Sequence, residues 1–272
     1  MKYVEIIGSP GSGKTTLLRT LGKTHHSSSC WEVEEKLKHK RLTGRIIKVV
    51  KRHLGIKEAK SADYKFLEHG LPRLFAENNQ PFFDYCWDNI KTSYIDSWAA
   101  IRASKMLYLS TTIVSNVEKI KKEKIFVVDE GFLHRLFHIH PIALYDHHSN
   151  NDAMKSDVDA FLNLVPLPKA AIYIDTPPEA ILDRRIVRSR RLYSQIKNQQ
   201  KKPTKNPKNI IAEYNRNKYF LEKLRNKGLP VLTVSGLEDP KINALALTEF
   251  LESIAPKLLN LGELCKPKTE SA

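Results

Sequence analysis

Cysteine, acidic residues and long apolar runs are all scarce in this chain, and each shortage excludes something. The three cysteines, Cys30, Cys86 and Cys265, lie far apart, are odd in number and form no C-x-x-C pair. Neither a disulfide framework nor a cysteine zinc site is therefore expected. No apolar run approaches the ~20 residues that a helix needs to cross a bilayer. The N-terminus also lacks the basic, apolar, small-residue progression of a secretory signal, so a cytoplasmic location is the expectation. No internal repeat is present.

Acids are outnumbered: 30 Asp and Glu face 45 Lys and Arg, leaving a net charge of +15 that favours anionic partners. The excess is concentrated in two places. Residues 36–60 hold ten Lys or Arg against one acid, Glu58, and residues 184–208 hold ten against none. The ordinary reading of such a run is a solvated face.

What is present is enough apolar sequence for a buried core, 41% of 272 residues. Apolar β-rich runs recur at wide intervals between segments that read as helices, the pattern of a parallel sheet with crossover helices. Strands are predicted at residues 3–7, 30–33, 125–128, 170–174 and 229–234, with a helix starting near Lys14. The reading is one α/β domain over residues 1–272, a five-stranded parallel sheet flanked by helices. It carries a helical insertion at about 36–118 and an arginine-rich lid at about 184–209. Inside the insertion, Leu42, Ile46, Val49, Val50 and Leu54 recur at helical spacing among basic residues. Trp98, Ile101, Met106, Leu109 and Ile113 predict a longer, more buried helix. The aromatic residues Phe82, Phe83, Tyr85, Trp87 and Tyr94 are expected in the core, with base stacking as the alternative. Residues 195–209, rich in Lys, Asn, Gln and Pro, read as a surface loop.

Gly8-Ser9-Pro10-Gly11-Ser12-Gly13-Lys14-Thr15 matches G-x-x-x-x-G-K-[ST] without a gap, between an apolar strand and a helix. Glycines let the chain wrap so that backbone N–H groups point at a phosphate, and the following helix adds its positive N-terminal end. Lys14 is expected to reach the β and γ oxygens of ATP, the Thr15 hydroxyl to ligate Mg²⁺, and the run through Thr16 to hold the nucleotide. The competing reading is a plain glycine turn before a helix. The segment Ile125-Phe126-Val127-Val128-Asp129-Glu130-Gly131 is an apolar strand that delivers carboxylates to its C-terminal edge, where parallel sheets bind ligands. Asp129 is the candidate for holding Mg²⁺, directly or through water, and Glu130 for positioning or deprotonating a phosphoryl acceptor. A strand-end acid that caps the next helix is the alternative for both.

The guanine signature N-K-x-D is absent, since Asn217-Lys218 and Asn226-Lys227 continue as Tyr219-Phe220 and Gly228-Leu229. The serine and paired glycines of transporter ATPases are absent too. Tyr173-Ile174-Asp175-Thr176-Pro177-Pro178-Glu179 leads into Arg184, Arg185, Arg188, Arg190 and Arg191. This strand, Pro-Glu helix start and arginine series resemble the nucleoside and nucleotide kinases of the P-loop class, in particular deoxyribonucleoside kinases and thymidylate kinase.

The resemblance covers the phosphate loop, the third strand and residues 170–235, and is weak across 36–118. It implies a lid helix on which Arg184, Arg188 and Arg190 close over the triphosphate, and ATP-dependent transfer of a γ-phosphoryl group to a small acceptor, with nucleosides and nucleotides among the candidates. Solvated helix charges are the alternative for the arginines. The sequence departs from deoxyribonucleoside kinases where Asp129-Glu130-Gly131 stands in place of Glu-Arg-Ser. Glu32, Glu34 and Glu35 offer general-base candidates that no motif selects between.

Two rival readings stay open. One is a polynucleotide or membrane-associated kinase whose basic 36–60 segment engages nucleic acid or an anionic membrane. The other is a P-loop ATPase or regulatory nucleotide-binding protein without a small-molecule acceptor. His134, His138 and His140, with His147 and His148 behind them, invite a metal reading, but no carboxylate or cysteine completes a zinc pattern. Packing, surface or acceptor-contact roles are the expectation for them.

Overall fold

Tyr3–Ile7, buried along its whole length, forms β1, the middle strand of a parallel sheet. The computed structural model describes residues 3–24, 31–33, 71–94, 96–119, 125–129, 131–141, 151–194 and 207–259. The predictions for residues 36–60 and 195–206, for Glu34, Glu35 and Glu130, and for His147 and His148 lie outside these. Arg190 and Glu32 lie on described backbone, with their side chains outside the description.

The other strands are β2 (Trp31–Val33), β3 (Ile125–Val128), β4 (Ala170–Asp175) and β5 (Val231–Ser235), in the order β2-β3-β1-β4-β5. The sequence predicts five strands; four of them, β1, β3, β4 and β5, make up the body of the sheet, and β2 is a three-residue segment at the edge beside β3. β1 pairs in parallel with β3 on one side and β4 on the other, so the ends of β1 and β3 are neighbours. β5 begins two residues later than the sequence predicts. The amide of Leu229 closes the preceding helix on the carbonyl of Leu224, and Pro230 has no N–H to give a ladder.

Ten described helices or helical turns surround the sheet: α1 (Lys14–Thr24), α2 (Leu71–Asn78), α3 (Gln80–Ser93), α4 (Ser97–Lys119), a 3-10 turn (Leu133–Arg135) running into α5 (Leu136–Ile139), α6 (Asn151–Leu164), α7 (Pro178–Ser194), α8 (Pro207–Asn226) and α9 (Pro240–Leu259). Alternation along the strands sorts the core into two layers. Val4, Ile6, Val127 and Ile172 meet Leu17, Leu18 and Leu21 of α1 and Leu247 and Leu251 of α9. Tyr3, Ile7, Phe126 and Tyr173 meet residues of α3, α4, α6 and α8 on the opposite face. The fold class is therefore α/β, a parallel sheet flanked by helices.

Helix α4 corrects one expectation. Trp98, Ile101 and Leu109 are 65%, 55% and 39% exposed, and the buried stripe is Ala103, Leu107, Ser110, Val114 and Val117 instead. The true stripe alternates three- and four-residue steps and includes small and polar positions that apolar counting passes over. Phe82 and Phe83 do join the core: Phe82 meets Phe132 at 5.4 Å and Phe161 at 5.8 Å, edge to face. Trp87 does not, being 40% exposed. Among the described residues no helix is long and apolar enough to cross a membrane.

Candidate functional site

Beyond Ile7 the chain turns through Gly8, Gly11 and Gly13 at φ 152°, 98° and 108°, values that a side chain would strain. A Cβ on Gly8 would also stand 2.8 Å from Ser12 Oγ. The turn delivers the chain directly into α1, whose Leu17, Leu18 and Leu21 are buried and fix its N-terminus against the end of β1. Lys14 folds back over the turn, with Nζ donating to the carbonyl of Gly8 at 2.5 Å and reaching that of Ser9 at 3.5 Å. Thr15 and Thr16 are exposed at the opening of the helix.

Distant residues brace this turn. Asn217 on α8 donates from Nδ2 to Ser9 Oγ at 3.0 Å, and Thr176, just past β4, donates to the carbonyl of Ser12 at 3.2 Å. Arg185 on α7 donates from Nε to the carbonyl of Pro10 at 2.6 Å while its NH2 meets both oxygens of Glu213 at 3.1 and 3.0 Å. Both side chains of this pair are nearly buried, 10% and 11% exposed.

A cleft of about 870 Å³ opens over the turn. Its walls are the run from Pro10 to Leu17, Asp129 at the end of β3, His134 in the 3-10 turn, Arg184 and Arg188 of α7, and the segment after β5 that includes Glu238, Asp239 and Asn243. Lys14, Thr15, Asp129, Arg184 and Arg188 are thus brought together from three distant stretches of sequence. The two arginines differ. Arg184 is docked on backbone, its NH1 reaching the carbonyls of Gly11 and Ser12 at 3.3 Å and its NH2 donating to Gly236 at 2.8 Å. Arg188, one turn further along the helix, is exposed on the cleft wall.

Asp129 is half-buried. Behind it, the chain is tied down by Glu5, a fully buried acid in the middle of β1 whose carboxylate accepts the amides of Leu133 at 3.0 Å and His134 at 2.7 Å. Ser110 of α4 donates to the carbonyl of Gly131 at 2.9 Å and in turn accepts from Nε of the fully buried Arg135 at 2.5 Å. Among the described residues no group of three or more His, Cys, Asp and Glu could hold a metal ion.

The histidines separate into different environments. His134 lines the cleft, 8% exposed, with Phe137 at 5.2 Å and His138 at 5.9 Å, and burial first, then the charge of Lys14, holds its imidazole well below the ordinary value. His140 lies away beside α3 and α6, with Nε2 2.6 Å from Tyr85 Oη and Nδ1 3.4 Å from Asp157. Burial lowers its pKa as well, against the opposing pull of Asp157.

Sequence reasoning missed Glu5, Glu213, Asn217 and the segment after β5, and gave Arg185 no bracing role. A charged residue at Glu5 inside an otherwise apolar strand was the one visible signal among them, because a buried acid needs partners. A scan of protein-family models and a search of curated proteins both give no match to this chain.

Proposed function

We propose that the chain is a P-loop kinase that transfers the γ-phosphoryl group of ATP to a small-molecule acceptor in the cytoplasm. The observation that carries this reading is the cleft, in which Lys14 and Thr15 of the glycine turn share walls with Asp129, Arg184 and Arg188. Backbone amides of the turn and the N-terminal end of α1 present positive charge to a phosphate. When a triphosphate binds, Lys14 exchanges the carbonyls of Gly8 and Ser9 for the β and γ oxygens. The exposed Thr15 hydroxyl and the Asp129 carboxylate form an oxygen donor set that suits Mg²⁺, which takes few protein ligands and fills its shell with water and phosphate. Bound there, Mg²⁺ would neutralise charge on the phosphates.

Arg184 holds the turn in shape, and Arg188 is free to swing onto the transferred phosphoryl, where a cation stabilises developing charge. Transfer of this kind needs positioning and electrostatics rather than a covalent intermediate. The reading assigns Glu130 and Arg190 their sequence-based roles, the first beside the acceptor and the second on the lid. A nucleoside or nucleotide is the acceptor class that the family resemblance favours.

The test is an acceptor screen. Protein is incubated with Mg²⁺, γ-labelled ATP and separate pools of nucleosides, nucleotides, sugars and oligonucleotides. Label in a small-molecule pool, lost in Lys14→Ala, is the expected result. Label that appears in oligonucleotides alone, or only as inorganic phosphate, would replace this reading with one of its rivals.

A further inference from the structure

We infer that His134 is a catalytic residue of the cleft, a hydrogen-bond donor to the terminal phosphoryl group of the bound nucleotide. This rests on the reading of the cleft as an ATP site. His134 reaches the cleft from the 3-10 turn after β3, and its backbone is fixed there by the buried Glu5 carboxylate at 2.7 Å. The residue lines the cleft together with Lys14 and Asp129, and Phe137 flanks its ring at 5.2 Å.

Nδ1 of that ring is buried and has no hydrogen-bond partner among the described residues. Buried polar atoms are nearly always paired, so an orphan on the wall of a cleft points to a partner that arrives with the ligand. Burial of the ring and then the nearby charge of Lys14 lower its pKa and disfavour the imidazolium form. With its proton on Nδ1, the neutral ring donates from that atom. A phosphoryl oxygen gripped by Lys14 is an anionic acceptor that would arrive in the same cleft. The donor would act beside the lysine without adding a second cation to a crowded site. The Asp129 carboxylate is the group that would repel the same oxygens, and a metal ion between them would screen it.

The γ-phosphoryl is what distinguishes ATP from ADP, so affinity for the two nucleotides reports this contact without knowledge of the acceptor. Calorimetric titration of Mg·ATP and Mg·ADP into the full chain is carried out on wild type, His134→Phe, His134→Ala and His134→Gln, each checked by its thermal midpoint. His134→Phe and His134→Ala should lose roughly tenfold in Mg·ATP affinity, the scale of one hydrogen bond to a charged group, with Mg·ADP nearly unchanged. His134→Gln retains an N–H and should recover part of the loss. His134→Ala serves as the second variant if the Phe ring does not fit. An ATP-to-ADP affinity ratio that stays at the wild-type value in the folded variants overturns the assignment and leaves the nucleotide site standing. A wild-type chain that binds neither nucleotide overturns both.

Discussion

The carboxylate of Glu5 accepts the backbone amide of His134 at 2.7 Å, joining the centre of β1 to a turn 129 residues further along the chain. With Leu133 as its second donor at 3.0 Å, the acid acts as the cap of the 3-10 turn that forms one wall of the cleft. Replacing Glu5 with Leu leaves two buried amides without an acceptor, and should cost about 2–5 kcal/mol of stability. Urea denaturation monitored by circular dichroism measures it. Glu5→Gln keeps one acceptor oxygen and should cost less.

Gly131 is required for a different reason, namely close approach. A Cβ at this position would stand 2.2 Å from Glu5 Oε2, and the carboxylate cannot retreat without releasing the amides that it caps. Gly131→Ala should therefore destabilise by about 2 kcal/mol or more, within the range of core overpacking. The same variant in a Glu5→Ala background, where the obstructing carboxylate is gone, should cost far less. A double-mutant cycle reads the difference.

The arginines of α7 differ in what they touch: Arg185 is paired and nearly buried, Arg188 is exposed on the cleft wall. Arg185→Ala removes the partner of the nearly buried Glu213 and a brace on Pro10, and should lower stability by about 3 kcal/mol. Arg188→Ala, at an exposed site, should leave the denaturation midpoint in place and weaken Mg·ATP binding instead. Thermal melts and nucleotide titrations of both variants, side by side, separate the two roles.

Stability should fall on the acid side of neutrality. His134 and His140 both have folded pKa values below the ordinary imidazole value of about 6.5, chiefly through burial, so the unfolded chain binds more protons than the folded one beneath that pH. Their contribution is complete above about pH 6.5 and is lost as the pH drops towards the lowered folded values. The urea midpoint should therefore decrease between about pH 7.5 and about pH 5.5, and His134→Gln should flatten that decrease.

Local pattern made the strands and the glycine turn legible. β1 and β3 begin and end where their apolar runs do, and the glycine-rich run Gly8 to Thr15 lies between a strand and a helix as the sequence predicts. The rotation of α4 was not legible, because its buried stripe runs through Ala103 and Ser110, which hydrophobicity does not mark. The braces of the turn were hidden for a plainer reason. Asn217 and Ser9 are 208 residues apart, and Arg185 and Pro10 are 175 apart, so nothing near either partner in sequence announces the contact. Arg185 falls off the Arg184, Arg188 and Arg190 lid positions and reads in sequence as a solvated charge, whereas in the fold it turns towards α8 and Arg188 lies on the cleft wall.

The proposed function depends on a triphosphate being gripped by the glycine turn and Lys14. Calorimetric titration of Mg·ATP into wild type and Lys14→Ala tests it most directly, with circular dichroism as the check on folding. Wild type should show saturable one-site binding, and Lys14→Ala should lose about 100-fold or more, on the scale of a charge-assisted contact removed from a site built for anions. A folded wild-type protein with no affinity for Mg·ATP, or a Lys14→Ala variant that binds as tightly as wild type, would contradict it.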